Sequence, residues 1–237
     1  MSVRTPADHL ANVLYLGAGA LLVYALLSWV ASWPVFSLHR LEVQGSLRHV
    51  NEDQVKRVTS RGVRGNFFTV DLDAVREAFE KLPWVATARV TRRWPDLLVV
   101  ELTEHQPLAH WNGKDLLSDQ GIVFNATVDA PLPRLNGMQG TGLVMLEAYR
   151  RFGRTLESKG MRIAELTYSP RRAWRIRTDS GLEIALGRTE PDARLERFAA
   201  LYQKVSEKLG APPGYADLRY ADGFAVRPVR ALESGKS

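Results

Sequence analysis

Histidine is the side chain best suited to proton transfer or metal binding near neutral pH, and the sequence holds five: His9, His39, His49, His105 and His110. His105 and His110 stand five residues apart across Pro107, which is not the spacing that puts two imidazoles on one helix face in HExxH. Both are expected at strand ends. Glu104-His105 has the composition of a carboxylate–imidazole dyad, yet no GxSxG nucleophile motif accompanies it. The chain has no cysteine, which excludes thiolate chemistry, thiolate metal sites and disulfides. Ser118-Asp119, just ahead of Gly121, reads as turn chemistry, and Asp71 with Asp73 suits the first turn of a helix. The Gly-rich string GAGA at 17–20 lies inside an apolar run and makes no phosphate loop. These residues form no catalytic constellation, metal set or cofactor site, so weight shifts from catalysis to binding.

The charged candidates that remain are arginine pairs at element ends: Arg92-Arg93, Arg150-Arg151 and Arg171-Arg172. Such pairs are usually solvated and stabilise little. Beside a hydrophobic edge strand, however, an arginine can select an acidic partner through charge-assisted hydrogen bonds. A net charge of +6 and a pI near 9.7 suit an anionic partner in general, or simply a solvated basic surface.

Where that charge resides depends on the N-terminal run. Asn12 to Trp33 reads NVLYLGAGALLVYALLSWVASW, 22 residues without a charge. As a helix it would extend about 33 Å, enough to cross a bilayer's hydrocarbon core. Tyr15, Trp29 and Trp33 lie towards its ends, where amphipathic rings favour the interface. A cleaved signal peptide has a shorter apolar region of about 7–15 residues, and Ala31-Ser32-Trp33 is a poor cleavage site. The small residues at 17–20 lack Gly-xxx-Gly spacing. The expectation is an uncleaved single anchor at 12–33, a cytoplasmic tail at 1–11, and an exported remainder away from nucleic acid.

Elements follow from periodicity. Ser37–Gln44 alternates as a short strand ending at Gly45. Asn51 can cap the next helix while Gln54 reaches back, with Val50 stapled to Val55, and that helix stops near Gly62. Asp71 starts a second helix, with Leu72, Val75, Phe79 and Leu82 on one face and Pro83 ending it. Strands at 84–94 and 97–104 join through Trp94-Pro95-Asp96, giving the order β-α-α-β-β. In the second of these strands Leu98, Val100 and Leu102 share a face.

Beyond Pro107, LAHW, DLLSDQG and IVF read as short strands, and Pro131 and Pro133 mark an irregular passage. A helix carries Leu143, Leu146, Tyr149, Phe152 and Leu156, then IAELTYS, AWRIRT and LEIALG read as strands, with Trp174 in the core. Pro191 starts a helix whose buried stripe is Leu195, Phe198, Leu201, Tyr202, Val205 and Leu209, ended by Gly210. Last comes YADLRYADGFAV, 215–226, read as a hairpin with Leu218 and Tyr220 on one face and Ala-Asp-Gly as its short loop.

Some of these residues carry a resemblance. Asn66-Phe67-Phe68, Pro83-Trp84-Val85, Arg93-Trp94-Pro95, Leu98-x-Val100, Glu104 and Pro107-x-Ala109-x-Trp111 resemble the POTRA-to-β-domain region of the FtsQ/DivIB family of bacterial cell-division proteins. LLSDQGIVF, SPRRAWRIRTDSGLEIALGR and YADLRYADGFAV resemble the FtsQ version further on. The resemblance implies an α+β chain: one transmembrane helix, a periplasmic POTRA domain at 37–105, a β-rich domain with two helices at 106–227, and a disordered tail at 228–237. It implies a non-enzymatic divisome scaffold at the inner membrane and division septum, with no cofactor, metal or small-molecule substrate. The partners implied are FtsB and FtsL, with an FtsB strand adding to the last sheet edge. Partner-binding residues carried over by motif are Arg171, Arg219, Tyr220, Asp222, Gly223 and Phe224; recruitment to the division site falls to residues around Val43 to Thr59. Asp222 stands where some relatives carry a small neutral residue, and Arg227-Pro228 ends the strand early. The alternative reading is a POTRA-containing export or assembly factor, which would be expected to carry several such repeats or a following barrel. A membrane-anchored periplasmic hydrolase is a further, weaker alternative.

Overall fold

A computed structural model of the chain describes residues 6–31, 40–62, 66–220 and 223–229. The chain divides into two units, Met1–Glu104 and His105–Ser237.

In the first unit, α1 runs Pro6–Ala31. Its described side chains include Tyr15, Leu16, Leu21, Leu22, Val23, Tyr24, Leu26 and Trp29, all exposed. Among the described residues no helix is long and apolar enough to cross a membrane; Ser32 and Trp33, the end of the expected anchor, lie outside them. After β1 (Arg40–Gln44) come α2 (Glu52–Gly62), α3 (Leu72–Glu80), β2 (Val85–Arg93) and β3 (Leu97–Glu104). The start expected for the first strand, 37–39, falls outside the described residues.

The three strands order as β1-β3-β2, with β1 parallel and β2 antiparallel to β3. Val75 and Phe79 of α3 pack with Leu98, Val100 and Leu102, while Val50, Val55 and Val58 lean on the same core. Both helix starts are built as the residue types require. The Gln54 N–H donates to Asn51 Oδ1 at 2.9 Å and the Asn51 N–H to Gln54 Oε1 at 3.1 Å, a reciprocal cap. Asp71 Oδ1 accepts the Ala74 N–H at 3.0 Å. Val99 is as buried as its neighbours although it faces the other side of the sheet, where it stands in register between Glu42 and Thr91.

The second unit is a nine-stranded sheet with two helices. Its elements are β4 (Pro107–Trp111), β5 (Asp115–Ser118), β6 (Val123–Phe124), β7 (Arg134–Asn136), α4 (Gly142–Glu157), β8 (Ile163–Tyr168), β9 (Trp174–Thr178), β10 (Glu183–Gly187), α5 (Pro191–Leu209), β11 (Pro213–Asp217) and β12 (Ala225–Pro228). The spatial order is β12-β11-β10-β9-β8-β7-β4-β5-β6. The helices pack on one another and on one face, α4 against β8 and α5 against β10 and β11. Phe152, Leu156 and Phe198 fill the core beneath them with Leu166, Ile176, Ile184 and Trp174.

Three sequence expectations are corrected here. The passage around Pro131 and Pro133 contains a strand: β7 pairs in parallel with both β4 and β8, and the Pro133 carbonyl accepts the His110 N–H at 2.9 Å. Three residues between Pro133 and Gly137 are too few for alternation to reveal it. The buried face of α5 is narrower than its periodicity suggests, since Leu195, Phe198 and Ala199 are buried but Leu201 is exposed. The terminal hairpin has a longer loop than Ala-Asp-Gly, because β11 ends at Asp217 and β12 begins only at Ala225.

Candidate functional site

The cause of that early strand end lies in one carboxylate. Asp217 Oδ1 accepts the Arg219 backbone N–H at 3.1 Å and its Nε at 2.8 Å, and Oδ2 accepts Nη2 at 2.6 Å. An aspartate binding the N–H two residues on is a local turn that competes with the sheet ladder. The chain therefore leaves β11 just after Leu218, whose N–H still reaches the Ala185 carbonyl at 2.8 Å. Leu218 is buried and Tyr220 is 56% exposed, so the two do not share a face as period-two reading predicts.

The fork also sets the charges. The Arg219 side-chain hydrogen bonds hold the Asp217 carboxyl below its ordinary pKa, against the opposing effect of burial. Asp217 in turn holds Arg219 protonated, its pKa raised chiefly by the same hydrogen bonds. The guanidinium remains largely exposed while the carboxylate beneath it is not. Room for this comes from Gly187: a Cβ there would stand 3.2 Å from both Arg219 Cγ and Arg194 Nη1.

Strand directions bring the other site residues to the same end of the sheet. β8 is antiparallel to β9, β9 to β10, β10 parallel to β11, and β11 antiparallel to β12. The β8–β9 turn with Arg171, the Gly187 end of β10, the Arg219 loop and the start of β12 thus lie together. Ser169, Ala173, Gly187 and Arg219 line one concavity of about 240 Å³ there. Arg171 is exposed in a turn where the Ser169 carbonyl accepts the Arg172 N–H and Ser169 Oγ accepts the Ala173 N–H.

Phe224 behaves differently from Tyr220. Its ring meets Phe198 of α5 edge-on at 5.5 Å and is half-buried, on the same face as Val226. Gly223 is half-buried, and Asp222 lies outside the described residues. β12 is the outermost strand of its sheet, pairing only with β11 among the described residues. Its inner end is tight: a Cβ on Gly214 would come within 2.8 Å of Val229 Cα.

The residues first weighed for catalysis make local contacts within their own units. His105 is buried, stacked on Phe124 at 4.5 Å, and burial depresses its pKa against a weaker pull from Asp119. His110 Nε2 lies 3.3 Å from the Ala130 carbonyl. Glu104 Oε1 accepts the backbone N–H groups of Arg48, His49 and Val50 at 3.1, 2.9 and 2.9 Å, and Oε2 meets His49 Nδ1 at 3.0 Å. Burial alone would raise the Glu104 pKa, but these hydrogen bonds, the His49 backbone N–H foremost, outweigh it and leave the pKa lowered. Among the described residues no group of three His, Cys, Asp or Glu side chains is placed to hold a metal ion. The first unit also carries an apolar groove of about 720 Å³ between β1 and α2, lined by Val43, Leu47, Val50 and Val55.

Sequence reasoning singled out Arg219 but missed Asp217, the residue that aims it. The signal available was the acid two positions before the arginine in Asp-Leu-Arg.

Comparison with known proteins bears on both units. Residues 36–105 match the model of the POTRA domain, FtsQ-type. Residues 109–219 match that of the cell division protein FtsQ/DivIB C-terminal region, a match that stops one residue before Tyr220. The chain is 39% identical over 228 residues to cell division protein FtsQ of Nitrosospira multiformis, covering 94% of this chain and 97% of that one. It is 37% identical over 233 residues to FtsQ of Burkholderia pseudomallei, covering 91% and 93%. Against FtsQ of Vibrio cholerae the identity is 35% over 209 residues, covering 86% and 80%.

Proposed function

The chain belongs to the FtsQ/DivIB family of cell division proteins, and from that premise we propose that it is a non-enzymatic scaffold of the division machinery. It links early and late division proteins by binding FtsB and FtsL, an FtsB strand adding to the β12 edge. Residues 12–33 anchor it once in the inner membrane, with the N-terminus cytoplasmic and both units periplasmic, and the protein works at the division septum. The anchor rests on the charge-free run and on the exposed apolar side chains of α1.

One observation carries the docking reading: a four-residue outermost strand ends the sheet beside an exposed tyrosine and a guanidinium fixed by its own aspartate. Strand addition gains affinity from main-chain hydrogen bonds and specificity from alternate side chains. Arg171, Arg219, Tyr220, Asp222, Gly223 and Phe224 make up the site. Tyr220 is its aromatic anchor, and Phe224 holds the strand's start against α5. The groove between β1 and α2 serves recruitment to the division site.

The test is capture of the periplasmic segment of FtsB by the full chain in detergent. Tyr220→Ala weakens capture while leaving the unfolding transition in place; capture at wild-type strength sinks the docking claim. A fluorescent fusion forms a midcell band in dividing cells, and a diffuse membrane signal counts against a septal role.

A further inference from the structure

The six outer strands of the second unit align three residues each into rows that cross the sheet. The middle row is Leu135, Leu166, Ile176, Ile184, Ala216 and Val226. It faces α4 and α5: all but Val226 are buried in that core, and Val226 packs against it. The rows on either side belong to the opposite face. One of them reads Arg134, Glu165, Arg177, Glu183, Tyr215, Arg227.

Up to the aromatic step this row alternates in sign. Arg177 Nη2 donates to Glu183 Oε1 at 2.8 Å, and Glu165 accepts from Asn136 Nδ2 at 2.9 Å. Opposite charges directly across neighbouring strands attract and like charges repel. At the free edge the row ends on Arg227, which is exposed and lies over the Tyr215 ring at 4.5 Å. That stacking steers the guanidinium along the sheet surface and leaves no carboxylate of the row beside it, since Glu183 is already engaged by Arg177.

We propose that Arg227 is a specificity-determining residue of the docking edge, and that the strand which adds to β12 places an acidic residue opposite Arg227 with an apolar residue next to it opposite Val226. The inference rests on the strand-addition reading above and names the chemistry that reading leaves open. Adjacent positions point to opposite faces of a sheet, so the acidic–apolar pair holds whether the partner strand runs parallel or antiparallel. The acidic residue extends the alternating row by one member, and the apolar residue extends the core row past Val226. Pro228, the last residue of β12, has no N–H to offer an added strand. The added strand's pairing therefore centres on Ala225, Val226 and Arg227.

The experiment is a charge swap with full-length chain in detergent and the periplasmic segment of FtsB as probe. Arg227→Glu weakens binding about fivefold at low salt, from the loss of one attraction and the gain of one repulsion. Changing the acidic residues of the FtsB strand to lysine one at a time then finds a single position that restores binding to Arg227→Glu. Arg227→Gln, with no charge to repel, shows the smaller loss. Three results overturn the inference. If Arg227→Glu binds like wild type while Tyr220→Ala still binds weakly, edge docking stands and the acidic partner falls. If Arg227→Glu weakens binding but no lysine substitution restores it, the charge pairing falls. If neither Arg227→Glu nor Tyr220→Ala weakens binding, the docking reading falls with it.

Discussion

Two carboxylates, one in each unit, do opposite jobs with the same chemistry. Glu104 is buried and receives three consecutive backbone N–H groups that lead into α2. Asp217 receives a single residue, Arg219, whose guanidinium faces solvent. Both carboxyls titrate below their ordinary range. The difference lies in the donors. Neutral backbone donors 54 to 56 residues away in sequence tie one carboxylate to the fold. An exposed, charged donor two residues away ties the other to a surface. The first should govern stability and the second should govern what the surface presents.

The strongest way to break this contrast is Glu104→Ala. It leaves three half-buried backbone N–H groups without their acceptor and removes the partner of His49, whose ring stacks on Trp84 at 3.7 Å. The expected cost is about 3 kcal/mol of first-unit stability, read as a lower denaturant midpoint by tryptophan fluorescence. A change below about 0.5 kcal/mol would show that the loop does not depend on Glu104.

Acid makes the same point without mutation. A carboxyl whose folded pKa is depressed contributes fully above its unfolded pKa and loses that contribution as pH falls through the folded value. First-unit stability therefore holds above about pH 5 and declines below about pH 4. In Glu104→Gln that decline is shallower, as unfolding midpoints across the pH series will tell.

Tyr220→Ala sharpens the other side. With the side chain exposed, folding is unchanged, while FtsB binding weakens by roughly 2 kcal/mol, about thirtyfold in Kd, by calorimetric titration. The smallest expected effect is that of Asp217→Asn. It keeps an oxygen for the turn but frees the guanidinium from its ionic partner, so binding falls about threefold and its salt dependence changes. A larger loss of stability than of binding would place Asp217 with Glu104 as a fold residue.

Much of this architecture is legible in the sequence, where local chemistry decides it. The Asn51–Gln54 cap, the Asp71 cap and Pro191 at the start of α5 are fixed by residues within four positions of one another. What escapes is set by distant partners or by competition. Glu104 is an ordinary strand-end acid until the fold brings residues 48–50 to it. β7 exists because β4 and β8 flank it, not because three residues between Pro133 and Gly137 favour a strand. At the edge, the arginine and tyrosine stand out as motif residues. Period two nevertheless fails at Leu218 and Tyr220, because Asp217 turns the chain between them. Phe224 is carried over by motif as a partner-binding aromatic, yet Phe198 supplies it a partner from α5.

The central claim is that a partner strand adds to β12, and amide hydrogen exchange of Ala225, Val226 and Arg227 tests it most directly. On addition of the periplasmic segment of FtsB, strand addition predicts slowed exchange at one or more of these amides, because an edge N–H open to water gains a fixed acceptor. Exchange at all three unchanged under saturating FtsB would contradict it.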